Sequence, residues 1–457
     1  MPEYKTPGVY VEEIPKLPPS IASVETAIPA FIGFTEKAQW KEPKDLDYKP
    51  KRIKSMLEYE QYFGVADPEK DSVSIVFGGS EAIGKVDETK RSKFLMYYSL
   101  QLFFLNGGGP CWIVSVGGYD AGVDPAKLQK GLNETAKINE VTLLLFPDAC
   151  MLDDAAAYYE LHIQALRQAA DLKDRFVILD IFHDPNNLDV WSLDTDTFRN
   201  RIGTENLKYG AVYFPFLRTR IPISANESLV KVDGAVAPTL DGLKAQNDDL
   251  YFKAKRALAN TPLVLPPSSA MAGIYAQVDS SRGVWKAPAN VNISTVDGPL
   301  FRITNREQDD LNVDPNFGKS INAIREFEGR GPAIVWGART MAGNDNEWRY
   351  ISVRRFFNMV EESVKNATQQ FVFEPNDENT WVRVKSMIQN YLTQQWRFGA
   401  LMGASVKEAF YVHVGLGETM TELDIWEGRL IIEIGMAVVR PAEFIILKFM
   451  HKMLQES

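Results

Sequence analysis

Cysteine and histidine are scarce in this 457-residue chain, which has two of the first and four of the second. Cys111 and Cys150 are too few for a disulfide framework or a cysteine-only zinc site. Each sits in or beside an apolar stretch ("CWIVSV", "LLLFPDAC"), where cysteine acts as a small buried hydrophobe. No apolar run approaches the roughly 20 residues that a membrane span requires, so no membrane insertion is expected. The opening residues, "MPEYKTPGVY", carry neither the basic region nor the apolar core of a signal peptide, which predicts synthesis and folding in the cytoplasm. Positive charge is also in deficit: 50 Lys and Arg against 60 Asp and Glu give a net charge of −10. Phosphate binding needs a basic footprint, so a nucleic-acid partner is not expected. Low-complexity tracts and repeats of solenoid length are missing too.

What remains is an ordinary globular composition, 45% hydrophobic and 24% charged, long enough for two or three cored domains. Residues 1–22 read as an extended arm: Pro2, Pro7, Pro15, Pro18 and Pro19 exclude helix, while "GVYVEEI" alternates as a strand. Residues 23–92 hold a first core strand in "TAIPAFIGFTEKA", then a polar tract with one short helix, "SMLEYEQYFG", stopping at Gly64. Strands and helices alternate over 93–325: a helix over 93–109, strands at 141–148, 175–182 and 209–217, and an amphipathic helix over 153–173. Buried strands separated by helices predict a parallel α/β sheet. Residues 218–261 interrupt it with a polar insertion. Residues 326–457 read as an α+β domain, with helices over 351–369 and from about Asp377 to Met402 before a β-rich tail.

Three stretches invite a catalytic reading, and each reads better as structure. "NGGGPCW" has its glycines after a helix and before a strand, the reverse of a phosphate-cradling loop. "PPSSAMAG" superficially matches the serine segment of subtilisin-type proteases, but such chemistry needs a histidine base oriented by a carboxylate. Of His162, His183, His413 and His451, only His183, at a strand end beside Asp180 and Asp184, is a candidate, and a local hydrogen-bonding pair is the expected role. The acid pairs in "NDDL" and "QDDL" read as solvated surface or helix caps. No cofactor or metal site is expected.

The two ends of the chain are the informative parts. "VVRPAEFIILKFM", residues 438–450, is apolar and β-branched; so near a free end, such a strand needs a partner. The strand-like run at 7–14 poses the same question, and together they suggest a protein that links to its own copies. Near them, the helix from Asp377 has a second oddity: between Asn379 and Val406 there is neither Asp nor Glu. Trp381, Val384, Ile388, Tyr391, Leu392 and Trp396 form its inward face, and Arg383, Asn390 and Arg397 lie opposite, a surface expected to meet an acidic partner.

Six ordered segments resemble the tail sheath proteins of contractile phage tails and related injection systems: "PGVYVEEI", "LPPSSAMAGIYAQVDSSRGVWKAPAN", "RGPAIVWGART", "WRYISVRRFFNMVEESV", "FVFEPNDENTWVRV" and "ETMTELDIWEGRLIIEIGMAVVRPAEFII". The resemblance implies a subtilisin-like α/β middle domain without protease activity and a C-terminal α+β polymerisation domain, with extended strands at both termini. It implies a structural subunit that stacks in rings around an inner tube and contracts to drive the tube through an envelope. The implied partners are itself, the tube protein, baseplate and tail-terminator proteins, and further sheath paralogues, with assembly in the bacterial cytoplasm. Arg383, Lys385, Asn390 and Arg397 would face the tube. Val9, Tyr10, Val11 and Glu12 of one subunit and Phe444, Ile445, Ile446 and Leu447 of another would complete a sheet on a third. A serine hydrolase and a non-contracting ring or collar protein are the alternatives. Residues 39–91 and 218–261 fit no part of the resemblance and are expected to be peripheral.

Overall fold

A computed structural model describes residues 20–447 except 80, 121 and 184–190. The described residues divide into two compact units, one of 25–361 with 440–447, the other of 20–24 with 362–439. That division falls between Glu361 and Glu362, whereas the sequence placed a domain start at residue 326. Residues 326–361 group with the larger unit, whose sheet takes in Gly331–Val335.

The larger unit is built on eight strands: β1 (Pro29–Gly33), β2 (Lys51–Ile53), β3 (Cys111–Ser115), β4 (Leu143–Leu145), β5 (Phe176–Asp180), β6 (Gly210–Phe214), β7 (Asn322–Phe327) and β8 (Gly331–Val335). Their order is β8-β7-β6-β5-β4-β1-β3-β2. All neighbours from β7 to β3 are parallel, and only β8 and β2, at the edges, run antiparallel. The continuous apolar runs read as doubly buried strands are that: every residue of β1, β4, β5 and β6 is buried.

Helices cover both faces. Successive residues of a strand point to opposite sides, and β1 shows it. Phe31 meets Phe103 of α1 (Met96–Leu105) with ring centroids 5.2 Å apart. Its neighbour Ile32 faces Gly131 of α2 (Pro125–Thr135), where an added Cβ would stand 2.7 Å from an Ile32 methyl. Helix α3 (Ala155–Leu172) packs beside α2, and α4 (Ser268–Arg282) packs beside α1. Gly273, in the segment that superficially matched a protease, permits the second pairing: a Cβ there would lie 2.5 Å from the Phe103 carbonyl oxygen.

Asp148, just past β4, ties this arrangement together. Its Oδ2 accepts from the Phe34 amide at 2.6 Å, and its Oδ1 from the Leu95 and Met96 amides at 2.6 and 3.0 Å, where α1 begins. Burial pushes its carboxyl up to about 7 while the three N–H donors pull the other way. Asp148→Ala would orphan three buried donors, so chemical denaturation should show a loss of about 3–5 kcal/mol. A loss under about 1 kcal/mol would mean that α1 is held some other way.

The two segments expected to be peripheral meet each other. Strand Val73–Gly78, from the first, pairs antiparallel with Glu81–Val86 and parallel with Lys231–Asp233 of the second. Ile75 and Val232 are buried in that sheet. They are one structural element contributed from two places, which a reading by local period had no means to join.

In the smaller unit, α6 (Glu378–Arg397) packs against the two-stranded antiparallel sheet of β9 (Phe410–His413) and β10 (Glu433–Met436). The preceding helix, α5 (Ile351–Thr368), buries Val353, Phe356, Val360 and Val364 as one stripe, as its 3.6-residue period predicts, and the division between units falls within it.

Candidate assembly surfaces

Helix α6 starts where the sequence said it would. The Asp377 side chain accepts from the Thr380 amide at 2.9 Å, and Glu378 sits in the first turn, where the helix dipole favours an acid. Val384, Ile388, Tyr391 and Leu392 are buried, with Trp381 and Trp396 half-buried at the margins. Arg383, Asn390 and Arg397, seven residues apart along one line, are exposed. The stretch is free of acids in sequence but not in space. Arg383 lies 3.8 Å from Glu374, and Lys385, half-buried, lies 3.7 Å from Glu418. Both pairs are long and wet, and each holds its cation only weakly. Val382, Phe398 and Met402 are exposed on the same helix and the turn that ends it.

The terminal segments grow out of anchored roots. At the start, Ser23 Oγ lies 3.1 Å from Tyr391 Oη on α6, and the Val24 amide donates to Ser363 Oγ at 3.0 Å. Val9, Tyr10, Val11 and Glu12 lie outside the described residues. At the other end, Val438 bridges to Leu401, and the Val439 amide donates to the Ala400 carbonyl at 3.1 Å. Within the larger unit, the Arg440 guanidinium then donates to the Asn346 carbonyl at 2.9 Å. Glu443 is gripped side-on by Arg339, Nε to Oε1 at 2.9 Å and Nη2 to Oε2 at 2.6 Å, with Asn312 Nδ2 donating to Oε1 at 2.8 Å. Sequence reasoning missed this clamp; its two residues stand 104 positions apart with no local spacing to betray them. Immediately beyond it the chain lets go. Phe444, Ile445, Ile446 and Leu447 are 69%, 80%, 79% and 71% exposed and pair with no strand among the described residues.

Residues 343–451 match the phage tail sheath C-terminal domain family. Over nearly the whole chain, the structure superposes on a chain of the contracted helical sheath of the anti-feeding prophage, with a TM-score of 0.67 and 32% identity, covering 98% of this chain and 100% of that one. The chain belongs to the contractile tail sheath family. A chain from the six-fold symmetrised anti-feeding prophage baseplate structure gives a TM-score of 0.67 and 33% identity, again over 98% and 100% of the two chains. The tail sheath protein of Vibrio phage KVP40 is 31% identical over 132 residues, which make up 28% of this chain and 19% of the phage protein.

Against that family background, the residues once weighed for catalysis fall apart as a set. His183 Nδ1 pairs with Asp194 Oδ2 at 2.7 Å, not with Asp180. Asp184 lies outside the described residues. Asp180 instead accepts from the Ser268 backbone amide at 2.8 Å, capping the first turn of α4, and burial pushes its carboxyl up to about 7. The Ser269 hydroxyl is buried with no hydrogen-bond partner among the described residues. His162 is buried against the Tyr158 carbonyl, and burial pushes its imidazole down to about 4. His413 pairs with Glu418 at the surface. Burial raises the Cys111 and Cys150 thiols far above their ordinary range, which disfavours a thiolate at either.

Proposed function

We propose that this chain is a non-enzymatic subunit of a contractile sheath, stacking in rings around an inner tube and shortening to drive that tube through an envelope. The observation that carries the reading is the Phe444–Leu447 segment: four consecutive large apolar side chains in water, directly after a clamped residue. A segment of that kind fits β-augmentation, in which backbone pairing gives affinity and alternate side chains give register. The β9–β10 sheet is a natural acceptor, since two strands of four residues are marginal alone and gain from a third and fourth. Val9, Tyr10, Val11 and Glu12 of another subunit are the proposed complement. Each added strand contributes perhaps four hydrogen bonds of about 1 kcal/mol net, which alone is roughly millimolar. Two tethers per subunit, repeated around a ring, turn that into a durable mesh.

Beyond other copies of itself, its proposed partners are the tube protein, the baseplate, a tail terminator and sheath paralogues, with assembly in the bacterial cytoplasm. For residues 93–325, the parallel sheet with helices on both faces supports the subtilisin-like layout at the level of α/β class, with Ser268 and Asp180 serving α4 rather than hydrolysis.

Arg383, Lys385, Asn390 and Arg397 are the proposed tube contacts, and charge reversal tests them. Arg383→Glu with Arg397→Glu changes two exposed side chains, so the melting temperature should hold within about 2 °C. Against an acidic tube, the yield of tube-filled sheath should fall at least tenfold by electron microscopy, with empty sheath still forming. Undiminished tube-filled yield would exclude α6 as the tube contact.

A further inference from the structure

The larger unit holds a pocket of about 300 Å³ beside the end of α4, and the sheath role leaves it unexplained. Gly283, at a φ of 91° that favours glycine, stops the helix directly after Arg282. The chain turns back there, with the Lys286 amide donating to the Gly283 carbonyl at 3.0 Å. That turn brings Arg282 and Lys286 to one pocket, which Val278, Ala287, Ala289 and Val291 line with apolar side chains.

Neither cation has an acid. Arg282 is exposed and makes no ion pair or hydrogen bond among the described residues. Lys286 is half-buried, and among the described residues its Nζ donates only to the carbonyl of its neighbour Ala287, at 3.2 Å. Asp279, one turn before Arg282, is already engaged: Arg355 Nη1 donates to it at 3.0 Å and Thr26 Oγ1 at 2.6 Å. Burial and then the Arg282 charge hold the Lys286 ammonium below its ordinary 10.5, and no carboxylate acts against them. A third cation stands behind Asn290 of the lining: Arg330 Nη2 donates to Asn290 Oδ1, and its guanidinium lies 5.2 Å from the Trp336 ring. A basic side chain in the last turn of a helix is favoured by the dipole, which accounts for Arg282. It does not account for a second cation drawn half out of water beside the first. Like charges over an apolar lining, in a chain of net charge −10, leave a place for an anion.

We propose that this pocket binds a carboxylate on a short aliphatic stem, with Lys286 and Arg282 meeting the carboxylate and the four apolar side chains meeting the stem. A free short-chain acid and a glutamate side chain of a neighbouring copy share that chemistry. Only the second source rests on the sheath reading, so titration of the isolated chain stands apart from it.

Ligand-observed NMR titration of the full chain uses two acids, 4-methylpentanoate and acetyl-Glu-methylamide, each beside its neutral amide, and inorganic phosphate. An acid that binds should do so about fivefold more tightly than its amide or phosphate, as partly exposed charge pairs allow. Lys286→Met keeps an unbranched side chain and removes its charge, so the chain should fold and that preference should fall below about twofold. Binding of the blocked glutamate without the free acid assigns the carboxylate to a neighbouring copy, and the reverse assigns it to a free ligand; both keep the proposal. Equal binding of acid and amide, phosphate binding as tightly as the acid, or binding of neither acid at tens of millimolar overturns it. If Lys286→Met does not fold, Arg282→Gln serves instead: Arg282 is exposed, so the chain should fold and the preference for acid over amide should still diminish. An undiminished preference in that variant would also overturn the proposal.

Discussion

A chain ended after Glu443 should melt within about 2 °C of the full-length protein and form no sheath. Phe444, Ile445, Ile446 and Leu447 are each at least 69% exposed, so their removal takes almost nothing from the core. Each subunit nevertheless loses the strand it is proposed to donate, and a mesh held by many weak tethers fails when one class of tether is gone. Sedimentation should therefore report only small species where the full-length chain reaches tubes. Their exposure separates the proposed roles: Glu443 holds the fold, and 444–447 are proposed to serve the polymer. Normal tubes from the shortened chain would move strand exchange elsewhere.

Glu443→Ala should have the opposite profile, a large stability loss without removal of the donated segment. Arg339 is buried, its side chain 4% exposed, and Glu443 is its carboxylate partner, with a side chain 20% exposed. Breaking such a pair leaves the guanidinium buried without its counter-charge, a loss of about 3–5 kcal/mol for a fully buried pair. The exposure of Glu443 discounts this to about 2–4 kcal/mol. Burial pushes the Glu443 carboxyl up, but Arg339, Asn312 and Tyr350 outweigh it and hold it below its ordinary 4.5. A carboxylate depressed by folding contributes stability above its unfolded pKa and loses it as pH falls through the folded value. The gap between wild type and Glu443→Ala should accordingly be widest near neutrality and narrow below pH 4.5. A gap independent of pH would mean that the loss comes from packing rather than charge.

Periodicity and punctuation carried the parts of the fold that are local. The apolar runs at β1, β4, β5 and β6 declared buried parallel strands, Gly64 stopped the helix Met56–Phe63, and the acids at Asp377 and Glu378 opened α6. Pairings made across long separations left no such trace. Val73–Gly78 and Lys231–Asp233 look like polar decoration until they lie side by side. The same limit applies at the surface: α6 is acid-free along the chain, yet Glu374 and Glu418 reach two of its cations through folding. Arg339 and Glu443 are individually unremarkable residues whose role exists only as a pair. The apolar run at 438–450 stood out by composition alone; of it, 444–447 are exposed and pair with no strand among the described residues.

In the proposed assembly, this chain becomes a sheath by handing its C-terminal segment to a neighbour. Electron cryo-microscopy of the assembled, tube-containing particle tests it most directly. Helical stacks of rings are expected, in which residues 444–447 of one subunit run as a strand beside Phe410–His413 or Glu433–Met436 of another. A single closed ring, or stacked rings in which residues 444–447 fold back onto their own subunit, would contradict it.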